Sequence, residues 1–179
     1  MMKKIAILTS GGDAPGMNAC IRAIVRTAAK NDIITIGVQY GYRGLIKGLL
    51  IKLNPQSVKN IVHKGGTILK TNRCKEFLKY SGRKKAYKII SDNNIQGLIV
   101  LGGDGSFAGA SIFSKEFKIP IIGIPSTIDN DIYGTDYSIG FDTAVETIID
   151  SVDKIRDTAS SHDRIFFIEV MGRNSGHLA

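Results

Sequence analysis

The sequence predicts a doubly wound α/β fold on a Rossmann-like parallel sheet. Short apolar runs alternate with helix-period stretches, glycine-rich turns follow the apolar runs, and 43% hydrophobic content is enough for a full core. Strands of a parallel sheet are covered on both faces, so they read as continuous apolar runs. The first, Ile5-Ala6-Ile7-Leu8, ends at Gly11-Gly12, after which Ala19, Ala23, Ile24 and Ala28 recur on one helical face. Residues 33–38 read as a second strand. Helix-like residues around Ala86, Ile89 and Ile90 precede a third, Gly97-Leu98-Ile99-Val100-Leu101. The run 102–106 leads into a helix through Ala108, Ile112 and Phe113, and Pro120-Ile121-Ile122-Gly123-Ile124 supplies the fourth strand. Residues 124–138 are polar and turn-rich, a loop at a strand's carboxyl end, where open parallel sheets place ligands. Ala144, Val145, Ile148, Ile149, Val152 and Ile155, three and four apart, predict a long amphipathic helix, and 164–170 a further strand. One helix and one strand cannot enclose a second core. The expected organisation is therefore an α/β domain at 1–139 and the truncated start of a second at 140–179, the front part of a longer protein.

Composition excludes several classes. With 20 glycines but only 4 prolines and 22% charged residues, the chain is neither collagen-like nor disordered. No apolar run approaches the roughly 18 residues a membrane span needs, and no signal-peptide pattern follows Met1-Met2-Lys3-Lys4, so a cytoplasmic protein without a membrane anchor is expected. Cys20 and Cys74 cannot build a disulfide framework or a four-ligand zinc site and read as free thiols. His63, His162 and His177 lack metal-ligand spacing and read as structural or exposed. A net charge of +8 calls for anionic partners, but the lysines are scattered, without basic runs interleaved with aromatics. Small phosphorylated ligands fit that pattern better than nucleic acid.

Three strand ends carry chemistry. Thr9-Ser10-Gly11-Gly12-Asp13-Ala14-Pro15-Gly16-Met17-Asn18 joins a strand to a helix, where missing Cβ atoms let backbone N–H groups approach phosphate oxygens and the helix dipole favours negative charge. Gly102-Gly103-Asp104-Gly105-Ser106 holds a carboxylate among small residues, a suitable ligand for a Mg²⁺ that keeps most of its waters. In the third, Asp129 and Asp131 point the same way if the loop is extended, and repel unless a cation or donor lies between them. Arg173 follows the last strand. There is no Walker A pattern and no Asp-Phe-Gly, which excludes those two phosphoryl-transfer designs. Arg22 and Arg26, four apart, face one way on the first helix.

Together with Gly65-Gly66-Thr67, Arg73-Cys74, Gly134-Thr135-Asp136-Tyr137 and Glu169-Val170-Met171-Gly172-Arg173, these segments resemble the amino-terminal part of bacterial-type ATP-dependent 6-phosphofructokinases over essentially the whole chain. The resemblance implies Mg²⁺-dependent transfer of a phosphoryl group from ATP to the 1-hydroxyl of fructose 6-phosphate, in glycolysis, by a homotetramer when full length. It makes 1–139 the ATP-binding domain and 140–179 the start of the substrate-binding one. It implies that Gly12, Arg73, Cys74, Gly103, Asp104, Gly105 and Ser106 hold ATP, with Asp104 on the metal. Asp129 would be the base. Thr127, Ile128, Asp129, Met171, Gly172 and Arg173 would contact the sugar phosphate, and Arg164 one bound to a neighbouring subunit. Arg22, Arg26 and Arg156 match allosteric effector contacts, but Pro55 and Asn60 stand where related chains have an arginine and an aspartate, which removes effector-binding groups. Gly105 favours ATP, since pyrophosphate-using relatives carry an aspartate there; Ser126 matches neither their lysine nor the glycine of ATP users. Kinases of the NAD-kinase or lipid-kinase group share the Gly-Gly-Asp-Gly turn but should lack the 127–131 run and Met171-Gly172-Arg173. The alternative of another class is a non-catalytic fragment that binds nucleotide only.

Overall fold

The computed structural model describes residues 3–172 and 175–179. The four strands expected in the sheet are present as β1 (Lys4–Thr9), β2 (Ile34–Val38), β4 (Gly97–Gly102) and β5 (Ile121–Pro125). A fifth, β3 (Leu50–Leu53), gives no sequence signal because four residues are too short for periodicity. The helices are α1 (Met17–Lys30), α2 (Gly41–Lys47), α3 (Tyr80–Asp92), α4 (Asp104–Phe117) and α5 (Phe141–His162), with a 3-10 turn at Lys75–Leu78. The strand order is β3-β2-β1-β4-β5. All neighbouring pairs are parallel except β2 with β3, so the sheet carries one antiparallel edge strand and is not wholly parallel as expected.

Period-two alternation sorts the side chains of β1 and β4 onto two cores. Ala6, Leu8, Leu98 and Val100 pack with Leu45 of α2, Ala86 and Ile90 of α3, and Ala110 and Phe113 of α4. On the other face Ile7 and Leu101 meet Met17, Ile21 and Val25 of α1, together with Leu53 and Leu69. Helices therefore cover both faces, which is why these strands read as unbroken apolar runs. The buried stripe of α1 is Met17, Ile21, Val25 and Ala28; Ala23, expected on it, is exposed, because it lies two residues from both Ile21 and Val25 and so on the opposite side of the helix. A ladder of aromatic rings fills the α2–α3–α4 side: Tyr42 stacks on Phe77, which meets Phe113 edge-on, and Phe113 meets Phe117 edge-on. Phe113 is fully buried, so Phe113→Ala should cost about 3–5 kcal/mol, measurable as a lower midpoint in urea at unchanged slope.

Residues 140–179 depart from expectation. The amphipathic helix forms as α5, yet none of its residues is buried. Residues 164–170 are not a strand; Ile165, Phe166, Phe167 and Ile168 are all exposed, since no neighbouring strand among the described residues offers ladder partners. Among the described residues no helix is long and apolar enough to cross a membrane.

Candidate active site

From β1 the chain winds to β2 on one side of the sheet, then returns to β4 on the other side of β1. The loops leaving β1 and β4 therefore diverge, and such a switch point opens a crevice at the strands' carboxyl ends. Here the two loops are bolted together at the base. The Ser10 N–H donates to the Leu101 carbonyl (2.9 Å), and the Ser106 hydroxyl donates to the Ser10 carbonyl (3.1 Å). A Cβ on Gly102 would lie 2.6 Å from the Ser10 oxygen and 2.7 Å from Ser106 Oγ, so only glycine fits this crossing.

A third segment is tied to the same rim. The Thr9 hydroxyl donates to the Lys70 carbonyl (2.8 Å) and the Thr71 hydroxyl to the Gly11 carbonyl (2.8 Å). Asn18, the last residue of the first glycine motif, uses its buried amide to hold this segment. Its Nδ2 donates to the Lys64 and Gly65 carbonyls, and its Oδ1 accepts from the Ile68 N–H (2.8 Å). Tyr42 caps the arrangement: its hydroxyl donates to the Ser106 carbonyl at 2.7 Å, and burial raises its pKa, so it remains a donor. Arg73 is thereby left exposed at the rim, with Cys74 half-buried against the core.

Asp104 is the first residue of α4, exposed, with extended Gly103 before it and no side chain capping the helix. Unpaired N–H groups and the positive end of the helix dipole therefore lie at the rim where β4 ends. Asp104 has no ion-pair partner among the described residues. β5 lies beside β4, and the Ser126 N–H donates to the Gly102 carbonyl (3.0 Å). A Cβ on Gly103 would touch Thr127 Cβ at 3.6 Å. The loop bearing Asp129 thus abuts the loop bearing Asp104. Ser126 itself is buried, its hydroxyl donating to the Ile124 carbonyl.

The 127–131 loop is held by its main chain together with the Thr127 and Asn130 side chains. The Asp129 N–H donates to Thr127 Oγ1 (3.2 Å), Asn130 Oδ1 accepts from the Ser138 N–H (2.8 Å), and the Ser138 hydroxyl donates to the Thr127 carbonyl. His177 Nδ1 lies 3.0 Å from the Asp129 carbonyl, with its ring edge-on to Phe141. That contact calls for the tautomer with hydrogen on Nδ1. Asn130, Asp136, Tyr137, Phe141 and His177 line an adjoining cavity of about 580 Å³. His177 read only as structural or exposed in the sequence, because a contact across 48 residues leaves no spacing signal.

Gly12, Arg73, Cys74, Gly103, Asp104, Gly105, Ser106, Thr127, Ile128 and Asp129 therefore belong to adjoining loops on one rim of the sheet. The other expected site residues belong to other segments of the chain. Arg164 sits on the exposed 164–170 segment, Met171 is exposed beside buried Gly172, and Arg173 lies outside the described residues. Arg22 is engaged internally, donating to the Val58 carbonyl (2.9 Å), whereas Arg26 is exposed. Arg156 pairs with Asp153 on α5 (3.0 Å). Both cysteines are free, and burial raises the Cys20 pKa.

Fold and rim together define an open, doubly wound α/β protein whose chemistry-bearing loops adjoin at the switch point of a mostly parallel sheet. Residues 4–179 match the family described as Phosphofructokinase, and the chain belongs to that family. It is 57% identical over 178 residues to "ATP-dependent 6-phosphofructokinase 2" of Bacteroides thetaiotaomicron and 60% identical to "ATP-dependent 6-phosphofructokinase" of Persephonella marina, in each case covering 99% of this chain and 55% of the relative. The chain thus spans about half the length of the curated relatives it matches. Phosphofructokinase from Saccharomyces cerevisiae superposes with a TM-score of 0.95 at 41% identity, over 99% of this chain and 27% of that one.

Proposed function

We propose that this chain is the nucleotide-binding part of an ATP-dependent 6-phosphofructokinase, transferring the γ-phosphoryl group of ATP to the 1-hydroxyl of fructose 6-phosphate in glycolysis. The observation that carries the reading concerns two glycines. Nothing in the protein lies within 4 Å of a Cβ built on Gly12 or Gly105, and neither has the positive φ that excludes side chains. The fold does not require glycine at either place; the room they leave lies on the rim that carries Asp104 and the start of α4.

In this reading the phosphates lie over the N-terminus of α4 and the loop after β1, with Arg73, Cys74 and Ser106 completing the nucleotide site. Asp104 would hold Mg²⁺, which offsets charge on the phosphate oxygens. The fit is that of a cation taken mainly by phosphates and water, because no group of three or more acidic, histidine or cysteine ligands occurs among the described residues. Asp129 accepts the proton of the attacking hydroxyl, and its loop holds it from below through main-chain contacts. Thr127, Ile128, Met171, Gly172 and Arg173 bind the sugar phosphate. Holding both reactants in line accounts for most of the rate gain in such reactions.

The division at 139/140 belongs to the same proposal. α5 and the apolar 165–168 run are unburied, as expected of the start of a domain completed by further chain. Arg164, projecting from the exposed segment, serves a neighbouring subunit in a homotetramer, and the enzyme acts in the cytoplasm. Effector control through Arg22, Arg26 and Arg156 is weakened, since Arg22 is committed to the Val58 carbonyl in the turn that contains Pro55 and Asn60. The decisive assay compares donors: turnover of fructose 6-phosphate with MgATP should far exceed that with pyrophosphate. Equal or greater turnover with pyrophosphate would overturn the donor assignment.

A further inference from the structure

We propose that Glu116, at the far end of α4 from the crevice, is a positioning residue for the nucleotide site, acting through Arg83. The inference rests on the nucleotide-site reading above. Arg83 is 7% exposed, and four of its five guanidinium N–H donors are used. Nε and Nη2 donate to the two Glu116 carboxylate oxygens at 2.6 and 2.7 Å, a bidentate pair. Nη1 donates to the Phe77 and Leu78 carbonyls at 2.9 and 2.7 Å. Those carbonyls end the 3-10 turn that begins directly after Arg73 and Cys74.

The linkage continues inward to the other nucleotide loop. The Phe77 ring stacks on Tyr42 with centroids 3.9 Å apart, and the Tyr42 hydroxyl donates to the Ser106 carbonyl. Glu116 and Ser106 both belong to α4. The brace is therefore a closed loop: from one end of α4 through Arg83 to the 73–78 segment, and through Tyr42 back to the helix's other end. Its effect is to fix how far Arg73 and Cys74 stand from the backbone of 103–106, the width a nucleotide must span. A carboxylate is needed because it takes two guanidinium N–H groups at once. That leaves Nη1 oriented on the turn; a lysine or an amide cannot set the fork this way. The favourable direction of both pKa shifts agrees: pairing lowers Glu116 and raises Arg83. Glu76, on the same turn, makes an exposed pair with Lys85 at 2.9 Å that is outside this loop, and so serves as a control.

The test is steady-state kinetics on the protein made from its complete coding sequence, with ATP and fructose 6-phosphate varied separately. Glu116→Gln, a near-isosteric change at a side chain one-quarter exposed, should fold and raise KM for ATP about tenfold, leaving kcat and KM for fructose 6-phosphate within about twofold. Arg83→Lys should do the same, and the double variant should be no worse than either single one. Glu76→Gln should leave every constant unchanged. A lower melting temperature in Glu116→Gln with wild-type KM for ATP would reduce the pair to a structural tie and overturn the proposal. A wild-type protein that binds no MgATP would instead remove the nucleotide-site reading, and this inference with it.

Discussion

Asp129→Asn should lower kcat by about 10²–10⁴-fold while KM for ATP and the melting temperature stay near wild type. The carboxamide keeps the shape of the carboxylate but cannot accept the hydroxyl proton. The loop should be undisturbed, because among the described residues the hydrogen bonds of Asp129 are main-chain ones: its N–H to Thr127 and its carbonyl against His177. No ion pair among the described residues uses its carboxylate. A fall in kcat in this variant therefore reports the chemical step rather than a collapsed loop. Measured rates near wild type at saturating ATP and fructose 6-phosphate would remove Asp129 from the role of base.

The second large effect is expected at Gly105. Gly105→Asp should leave the unfolding free energy within about 0.5 kcal/mol of wild type, since the added Cβ meets no neighbouring group and position 105 lies in the first turn of α4, where an acidic residue is favourable to the helix dipole. Yet it should weaken MgATP binding at least about 100-fold, because a carboxylate would enter the space proposed for the phosphates and repel them at short range. Nucleotide titration followed by calorimetry, beside a urea melt of the same variant, separates the two effects. Loss of stability without loss of affinity would mean that the glycine serves the fold, and the open space would lose its functional meaning.

The contrast with Gly102 shows how far the sequence could be read. Gly102, Gly103 and Gly105 look alike as letters, and the run that contains them was legible as a strand-to-helix turn with a carboxylate in it. Only coordinates separate Gly102, which a neighbouring carbonyl forces to be glycine, from Gly105, which the protein leaves open. The four strands of the main sheet were legible because each is an apolar run packed on both faces. β3 was not, being four residues on an edge whose pairing depends on β2. The 164–170 run departs from the strand its letters predict for the opposite reason. Its apolar composition suits a strand, but a strand exists only where a neighbour completes its hydrogen bonds.

Local pattern alone thus determined the α/β class, the four parallel strands, the helices α1, α3, α4 and α5, and the chemistry-bearing loops, because backbone period and side-chain type act within a few residues. Tertiary structure decided which loops share the rim, that Asn18 and Tyr42 fasten them, that His177 rests on the Asp129 carbonyl, and that Arg83 pairs with Glu116 at the far end of α4. Those contacts join residues 33 to 64 positions apart, and no local periodicity encodes a partner at such a distance.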